Sequence, residues 1–232
     1  MMKQFSTRIG LGLSLLAAAA MAYATFGVTM RRVAKVGDTA NFKTTANLTI
    51  QGMTVTVKAT SREKVTAIDD NGVIAYESQQ ISTTIEFNGQ SQEMPGGSPE
   101  TTKMDNRNRL KAYEGESGEL GARLSSLQNV ILPEGELNVG DQWTEDVAED
   151  KMGTKSLKGT YKFEKEEKLG DFDCYVIKAK NAETESGGSS SSFTAWLDKT
   201  DLSLVKAEGE MKNVQFPGAP TPTDATFTVV RD

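Results

Sequence analysis

The acidic segment Asp69-Asp70-Asn71-Gly72 contains residue types that occur in calcium-binding loops. Such a loop needs an aspartate at its first position, a glycine at its sixth and a bidentate glutamate at its last. With Gly72 as the sixth residue, the first position falls on Ala67 and the last on Ser78, and neither supplies a carboxylate. The segment therefore predicts a plain β-turn, because Asn-Gly favours the positive φ angles of tight hairpin turns.

A second acidic segment follows Trp143 and contains Glu145, Asp146, Glu149 and Asp150. Glycoside hydrolysis needs two carboxyl groups placed across a substrate, whereas acids that are adjacent in sequence usually form a solvated face. The sequence contains no histidine, which removes the commonest general base and excludes Ser-His-Asp and Cys-His catalysis. We therefore predict a protein that is not an enzyme and that has no cofactor and no metal site. An unusual hydrolase is the remaining catalytic alternative.

Apolar side chains could instead line a site for a hydrophobic or amphipathic ligand. The candidates alternate with polar residues and so should share one face of a sheet. They are Phe42, Leu48, Ile50, Val55, Val57, Trp143, Tyr161 and Phe163. The indoles of Trp143 and Trp196 could stack on a sugar or a lipid, or they could fill the core.

The elements that must position these side chains are β-strands, because the alternation has a period of two. Hairpins are predicted at Gln51-Gly52 and at Asn71-Gly72, and the second half repeats the pattern around Tyr161. One exception is a run with helical spacing that stops before Pro133 and comprises Leu120, Leu124, Leu127 and Ile131. We predict one short helix there.

Internal similarity indicates a duplication, with chance matching as the alternative. Val36-Gly37-Asp38 recurs as Val139-Gly140-Asp141, and residues 111–116 resemble residues 206–210. The predicted organisation is a first β repeat over residues 25–117, a helix and linker over 118–135, and a second β repeat over 136–232. The expected fold is mainly β, a curved antiparallel sheet or half-barrel with the helix between the halves.

The N-terminus has the pattern of a signal peptide over residues 1–24. Lys3 and Arg8 form a positive segment ahead of the apolar run from Ile9 to Met21, and Ala22-Tyr23-Ala24 is a small-residue cleavage site. We expect cleavage near Ala24 and a periplasmic or extracellular protein. A retained segment reaching Val28 would instead be an anchor, and it is the one expected link to a membrane.

The net charge excludes one class of partner, and the single cysteine excludes two kinds of covalent link. The formal charge of −6 repels phosphate backbones, so we predict no nucleic-acid partner. Cys174 lies far from the N-terminus, which excludes lipid anchoring through a cysteine at the cleavage site. One cysteine also excludes an intramolecular disulfide.

Two motifs carry resemblances to known families. Leu132-Pro133 with Val139-Gly140-Asp141-Gln142-Trp143 resembles uncharacterised secreted bacterial proteins that share a V-G-D-x-W strand opening. Residues 196–206 are similar to a strand-turn-strand of periplasmic lipoprotein-carrier proteins, with Asp201 where that family usually has glycine. What the resemblance implies is a curved antiparallel sheet whose concave face can hold acyl chains.

These observations lead to two functional hypotheses. In the first, an exported envelope protein binds a lipid or another amphipathic ligand on its curved sheet. In the second, the chain is a structural or interaction domain that contacts other envelope proteins through an exposed sheet edge.

Overall fold

The computed structural model describes residues 27–50, 52–216, 219 and 221–232. The expected signal peptide and its cleavage site at Ala24 lie outside these residues. The described elements are β1 (Val28–Thr29), β2 (Thr39–Ile50), β3 (Met53–Ile68), β4 (Ile74–Phe87), β5 (Gln90–Pro95), β6 (Glu100–Met104), β7 (Leu110–Glu114), α1 (Gly118–Leu127), β8 (Glu136–Leu137), β9 (Gln142–Val147), β10 (Leu157–Leu169), β11 (Phe172–Glu183), β12 (Ser190–Asp198), β13 (Leu204–Val214) and β14 (Thr223–Arg231).

Twelve of these strands form one antiparallel sheet. Its order is β7-β6-β4-β3-β2-β14-β13-β12-β11-β10-β9, with β5 paired to β4. The pairing of β14 with β2 joins the two predicted repeats into a continuous sheet. Register shifts interrupt five of the ladders, and such bulges bend strands and increase their twist. The predicted mainly-β fold with a large curved antiparallel sheet and a short helix is confirmed.

The strand β3 is long and irregular. It runs from Met53 to Ile68 and contains a register shift at Thr60/Ser61. Opposite this shift, Ile81 is the unpaired residue of a bulge and is exposed rather than inward. At the turn after β3, the positive φ is at Gly72 and not at Asn71.

One face of the sheet carries the predicted apolar set. Cross-strand partners point to the same side, and the register pairs Leu48 with Val55, Ala46 with Val57, and Tyr161 with Trp143. Following the pairs from strand to strand places all eight predicted residues on this side, which we call the concave face. Trp196 pairs with Val176 on the opposite face, where it packs in a small separate cluster. The two tryptophans therefore cannot stack on one ligand.

The helix ends earlier than its leucine spacing predicts. α1 stops at Leu127, so Ile131 lies beyond it. Hydrogen bonds from the sheet fix this end of the helix. The Leu127 carbonyl accepts them from the Asn181 side-chain amide at 2.9 Å and from the Ser191 hydroxyl. These two side chains, on the concave face, satisfy an acceptor at the helix end that would otherwise lack a partner.

The extended segment after the helix, residues 128–137, covers the concave face of the second half and is called the cover segment. Val130, Ile131 and Leu132 are buried against Tyr161 and Phe163 in the main core. Because a buried loop must pair its carbonyl groups, side chains supply the donors. The pairs are Asn108 to Val130, Trp143 to Ile131, Arg107 to Leu132 and Arg31 to Pro133, at 2.6–3.3 Å.

The two V-G-D motifs form the same turn. Gly37 and Gly140 have φ angles of 97° and 99°, and their N–H groups donate to the carbonyl oxygens of Val65 and Phe163 at 2.9 and 2.7 Å. In each motif the aspartate carboxylate accepts from the backbone N–H three residues earlier, at 2.8 and 2.7 Å. Both turns open a strand, β2 or β9. This equivalence supports the proposal of a duplication.

A buried ion pair holds the helix against the sheet and predicts acid sensitivity. The carboxylate of Glu183, at the end of β11, accepts from the Arg123 guanidinium at 2.7 Å and from the Ser189 N–H at 2.6 Å. Burial acts to raise the pKa of Glu183, but these hydrogen bonds outweigh it and lower the pKa below 4.5. The carboxylate therefore adds stability above pH 4.5, and this stability is lost as the pH falls through the lower folded-state pKa.

We expect Glu183→Gln to lose about 2 kcal/mol at neutral pH, because charged hydrogen bonds are replaced by weaker ones. Urea unfolding of both proteins at decreasing pH should show the difference shrinking below pH 4.5. A difference that does not change with pH would contradict this role of Glu183.

Candidate functional site

A cavity of about 470 Å³ lies between the helix and the middle of the concave face, and we call it the main cavity. The helix contributes Gly121, Leu124 and Ser125, and the start of the cover segment contributes residues 128–130. Strands from both halves of the sheet form the opposite wall, from β6 through β14 to β12. The helix therefore covers the concave face without filling the space beneath it.

The floor of the main cavity is apolar. Phe193 and Phe227 lie side by side there with ring centroids 6.1 Å apart. Further apolar side chains complete it, namely Phe42, Ala195, Leu197, Leu202, Leu204, Ala207 and Val229. Ligand sites of this type combine an apolar lining with a few placed polar groups.

One polar end of the main cavity is already satisfied internally. The Glu100 carboxylate accepts from the Tyr113 hydroxyl at 2.5 Å and from the Ser117 N–H at 2.9 Å. Burial acts to raise the pKa of Glu100, but the hydrogen bonds from Ser117 and Tyr113 prevail and lower it. Because Ser117 directly precedes α1, this carboxylate also faces the positive end of the helix dipole. Its role is to anchor the helix.

The other polar end is formed by Arg32, Glu63 and Tyr76. Here the main cavity meets a second, polar cavity of about 200 Å³, and both are lined by Arg32, Phe42, Glu63 and Ser203. Arg32 is held by Asp201, whose carbonyl it contacts at 2.7 Å and whose carboxylate it contacts at 3.3 Å. Burial raises the pKa of Tyr76 to about 12, so its hydroxyl stays protonated.

Of the eight predicted ligand-lining residues, Phe42 lines the main cavity. Tyr161 and Phe163 are fully buried in the core beneath the cover segment. Trp143 stacks on Tyr161 at 5.2 Å and donates its indole N–H to Ile131, so it fills the core. The other four lie on the concave face outside the cavity wall, with Leu48 buried and Ile50, Val55 and Val57 half-buried.

The polar end was not anticipated from the sequence, although a signal was present. Alternation along β3 places Val55, Val57, Ala59 and Ser61 inward, and Glu63 is the next inward residue. A charged side chain at an inward strand position is unusual, because burying a charge costs free energy. Arg32 and Tyr76 come from distant parts of the chain, so only folding brings them to Glu63.

The acidic segments have structural roles. The Asp69 carboxylate accepts from the N–H groups of Asn71 and Val73 at 2.9 and 2.8 Å, which stabilises the predicted plain turn. Glu145 pairs with Arg107 and Arg109 beside the cover segment. Within the part of the chain that the structure describes, no three cysteine, aspartate or glutamate side chains group as they would around a metal ion. No helix among these residues is long and apolar enough to cross a membrane.

Comparisons with known proteins do not identify a family for this chain. No protein-family model matches the chain, and no curated protein matches it. The crystal structure of a DUF1329 family protein from Desulfovibrio piger ATCC 29098 is similar with 11% identity, 84% coverage of both chains and a TM-score of 0.22.

Two further solved structures show comparable values. DynF from the dynemicin biosynthesis pathway of Micromonospora chersina has 8% identity, coverage of 90% of this chain and 86% of its own, and a TM-score of 0.23. A domain provisionally assigned as an outer membrane lipoprotein-sorting protein, from Vibrio parahaemolyticus, has 9% identity, coverage of 84% and 83%, and a TM-score of 0.24. At TM-scores this low, none of the three supports an inference about this chain.

Proposed function

We propose that this chain is an exported, non-enzymatic protein of the cell envelope that binds a hydrophobic or amphipathic ligand, such as a lipid, in the main cavity. The N-terminal signal-peptide pattern supports export, and the absence of histidine supports binding rather than catalysis.

The observation that carries the proposal is the main cavity itself. Its volume of about 470 Å³ falls within the range of small-molecule sites. The main cavity is open to solvent on one side, so a ligand could enter it, and its apolar floor is combined with polar groups at its ends as in other small-molecule sites. A ligand with an apolar chain would gain free energy by covering Phe193 and Phe227.

Filling the cavity provides the test. Thr44 lies on β2 and lines the main cavity, whereas the neighbouring Thr45 points to the opposite face. We expect Thr44→Trp to weaken the binding of dodecanol, measured by isothermal titration calorimetry, by about tenfold or more, because the indole occupies the ligand's space. Thr45→Trp adds the same side chain outside the cavity, and it should bind dodecanol as the unchanged protein does.

Native mass spectrometry of the purified protein should also detect co-purified lipid, and Thr44→Trp should carry less of it than Thr45→Trp. Equal lipid content and equal dodecanol affinity in the two variants would sink the proposal. The interaction-domain alternative would then lead, since β7 and β9 end the described sheet and offer free edges for pairing with another chain.

A further inference from the structure

Glu63 is distinguished from the other charged groups around the two cavities by its contacts. Arg32 is paired with Asp201, and the Asp38 carboxylate accepts from the Lys35 N–H at 2.8 Å. Arg231 donates to the Ser203 hydroxyl at 2.9 Å. The Glu63 carboxylate, in contrast, has neither a hydrogen bond nor an ion pair with any residue that the structure describes, yet it lines both cavities.

This contrast matters because the Glu63 side chain is half-buried between the two cavities, and polar groups withdrawn from water are normally hydrogen-bonded. Removal from water raises the pKa of Glu63, while the positive charges of Arg32 and Arg231 act in the opposite direction. A carboxylate held in this way can accept strong hydrogen bonds from an incoming donor. Its position at the junction of an apolar cavity and a polar cavity is where the head of an amphipathic ligand would lie.

The charge of the lining indicates which kind of head fits. The polar cavity has two arginines, Arg32 and Arg231, against three carboxylates, Asp38, Glu63 and Asp201. Glu100 adds a fourth carboxylate at the far end of the main cavity. The lining therefore has a formal excess of two negative charges, which repels an anionic head and attracts a cationic or hydrogen-bond-donating one.

We propose that Glu63 binds the polar head of an amphipathic ligand whose apolar part fills the main cavity, and that this head is an amine or a hydroxyl group rather than a carboxylate or a phosphate. This inference rests on the proposed function and specifies its ligand class. The Tyr76 hydroxyl lines the same end of the main cavity and offers the head a second hydrogen-bonding partner.

Amine binding should depend on pH through Glu63. The charged and titratable groups that face its carboxylate are Arg32 from the N-terminal segment, Tyr76 from β4, Asp38 before β2, Asp201 from the β12–β13 turn and Arg231 from β14. Amine affinity is full above the pKa of Glu63 and is lost as the pH falls through it. Because that pKa is raised, the loss occurs above the range in which an ordinary glutamate titrates.

The test compares three probes with the same chain length, dodecylamine, dodecanol and dodecanoic acid, each titrated below its micellar concentration. In the unchanged protein we expect dodecylamine to bind about tenfold tighter than dodecanoic acid, as one charge-assisted hydrogen bond would produce. Glu63→Gln should weaken dodecylamine binding about tenfold, remove its pH dependence and leave dodecanoic acid binding unchanged or tighter.

The matched control is Glu77→Gln, since Glu77 follows Tyr76 on β4 and points to the opposite face. It should leave the affinities for all three probes unchanged. Thermal unfolding should show Glu63→Gln to be no less stable than the unchanged protein, because the half-buried Glu63 carboxylate makes no hydrogen bond with the described residues that the variant could lose.

The outcomes separate this inference from the proposed function. If none of the probes binds the unchanged protein, the proposed function fails. If all three bind equally, if dodecanoic acid binds tightest, or if Glu63→Gln retains full and pH-dependent dodecylamine binding, then the cavity is a binding site but the role of Glu63 is wrong.

Discussion

Replacing Arg107 with methionine should lower the free energy of unfolding by about 3 kcal/mol, because breaking a buried ion pair leaves an uncompensated charge. The Arg107 side chain is 8% exposed, and its guanidinium contacts Glu145, which is 12% exposed, and Glu134. It also donates to the Leu132 carbonyl at 2.8 Å and so holds the cover segment over the core. Arg109 remains beside Glu145 in the variant, which limits the loss.

Urea unfolding measures the effect, and a double variant tests its cause. Arg107→Met with Glu145→Met should be more stable than Arg107→Met alone, since in the single variant the nearly buried Glu145 carboxylate keeps Arg109 as its one remaining charged partner, and the double variant removes that carboxylate. The control is Lys43→Met, which removes the exposed pair between Lys43 and Asp232 and should change stability by less than about 1 kcal/mol. A loss of under about 1 kcal/mol in Arg107→Met would show that the cover segment does not depend on this arginine.

Gly209→Ala should also lower the free energy of unfolding by about 3 kcal/mol, because the added methyl group has no room. A Cβ atom at Gly209 would lie 2.3 Å from the Ser192 carbonyl oxygen and 2.4 Å from the Phe193 Cβ. These atoms belong to the paired strand, so no side-chain rotation relieves the clash. Gly209 pairs with both Phe193 and Phe227, and its missing side chain leaves space on the cavity floor for the two rings.

Gly97→Ala is the matched control for this substitution. A Cβ atom at Gly97 meets nothing within 4 Å, and its φ angle is not in the left-handed region. We expect Gly97→Ala to unfold within about 0.5 kcal/mol of the unchanged protein in the same urea titration. Similar stabilities for the two alanine variants would mean that the strands at Gly209 can separate without cost.

The proposed binding site depends on both of these features. Arg107 holds the cover segment, which continues from the helix that roofs the main cavity, and Gly209 shapes the floor beneath it. Arg107→Met and Gly209→Ala should therefore also weaken ligand binding. Thr44→Trp and Thr45→Trp place the same side chain on opposite faces of β2, so their comparison separates loss of cavity space from a general effect of the substitution on stability.

Local regularity explains which structural features could be read from the sequence. Alternation in Phe42 to Ile50 and in Leu157 to Phe163 indicates strands with one inward face, since successive side chains in a strand point to opposite sides. Asn71-Gly72 indicates the turn, and the V-G-D repeat indicates two similar strand openings. Each of these signals acts within a few residues, so neighbouring residues are enough to determine it.

The tertiary structure alone decided which inward residues form the core and which line the cavity. Tyr161 and Phe42 have the same pattern in the sequence, but the cover segment lies on the first and the main cavity on the second. The helix end at Leu127 depends on Asn181 and Ser191, more than fifty residues away. Likewise, Glu63 becomes a candidate recognition group because folding brings Arg32, Tyr76 and Arg231 around it. Contacts between segments distant in the chain have no local pattern in the sequence, so the candidate site can be recognised only once the helix and the strands are placed together.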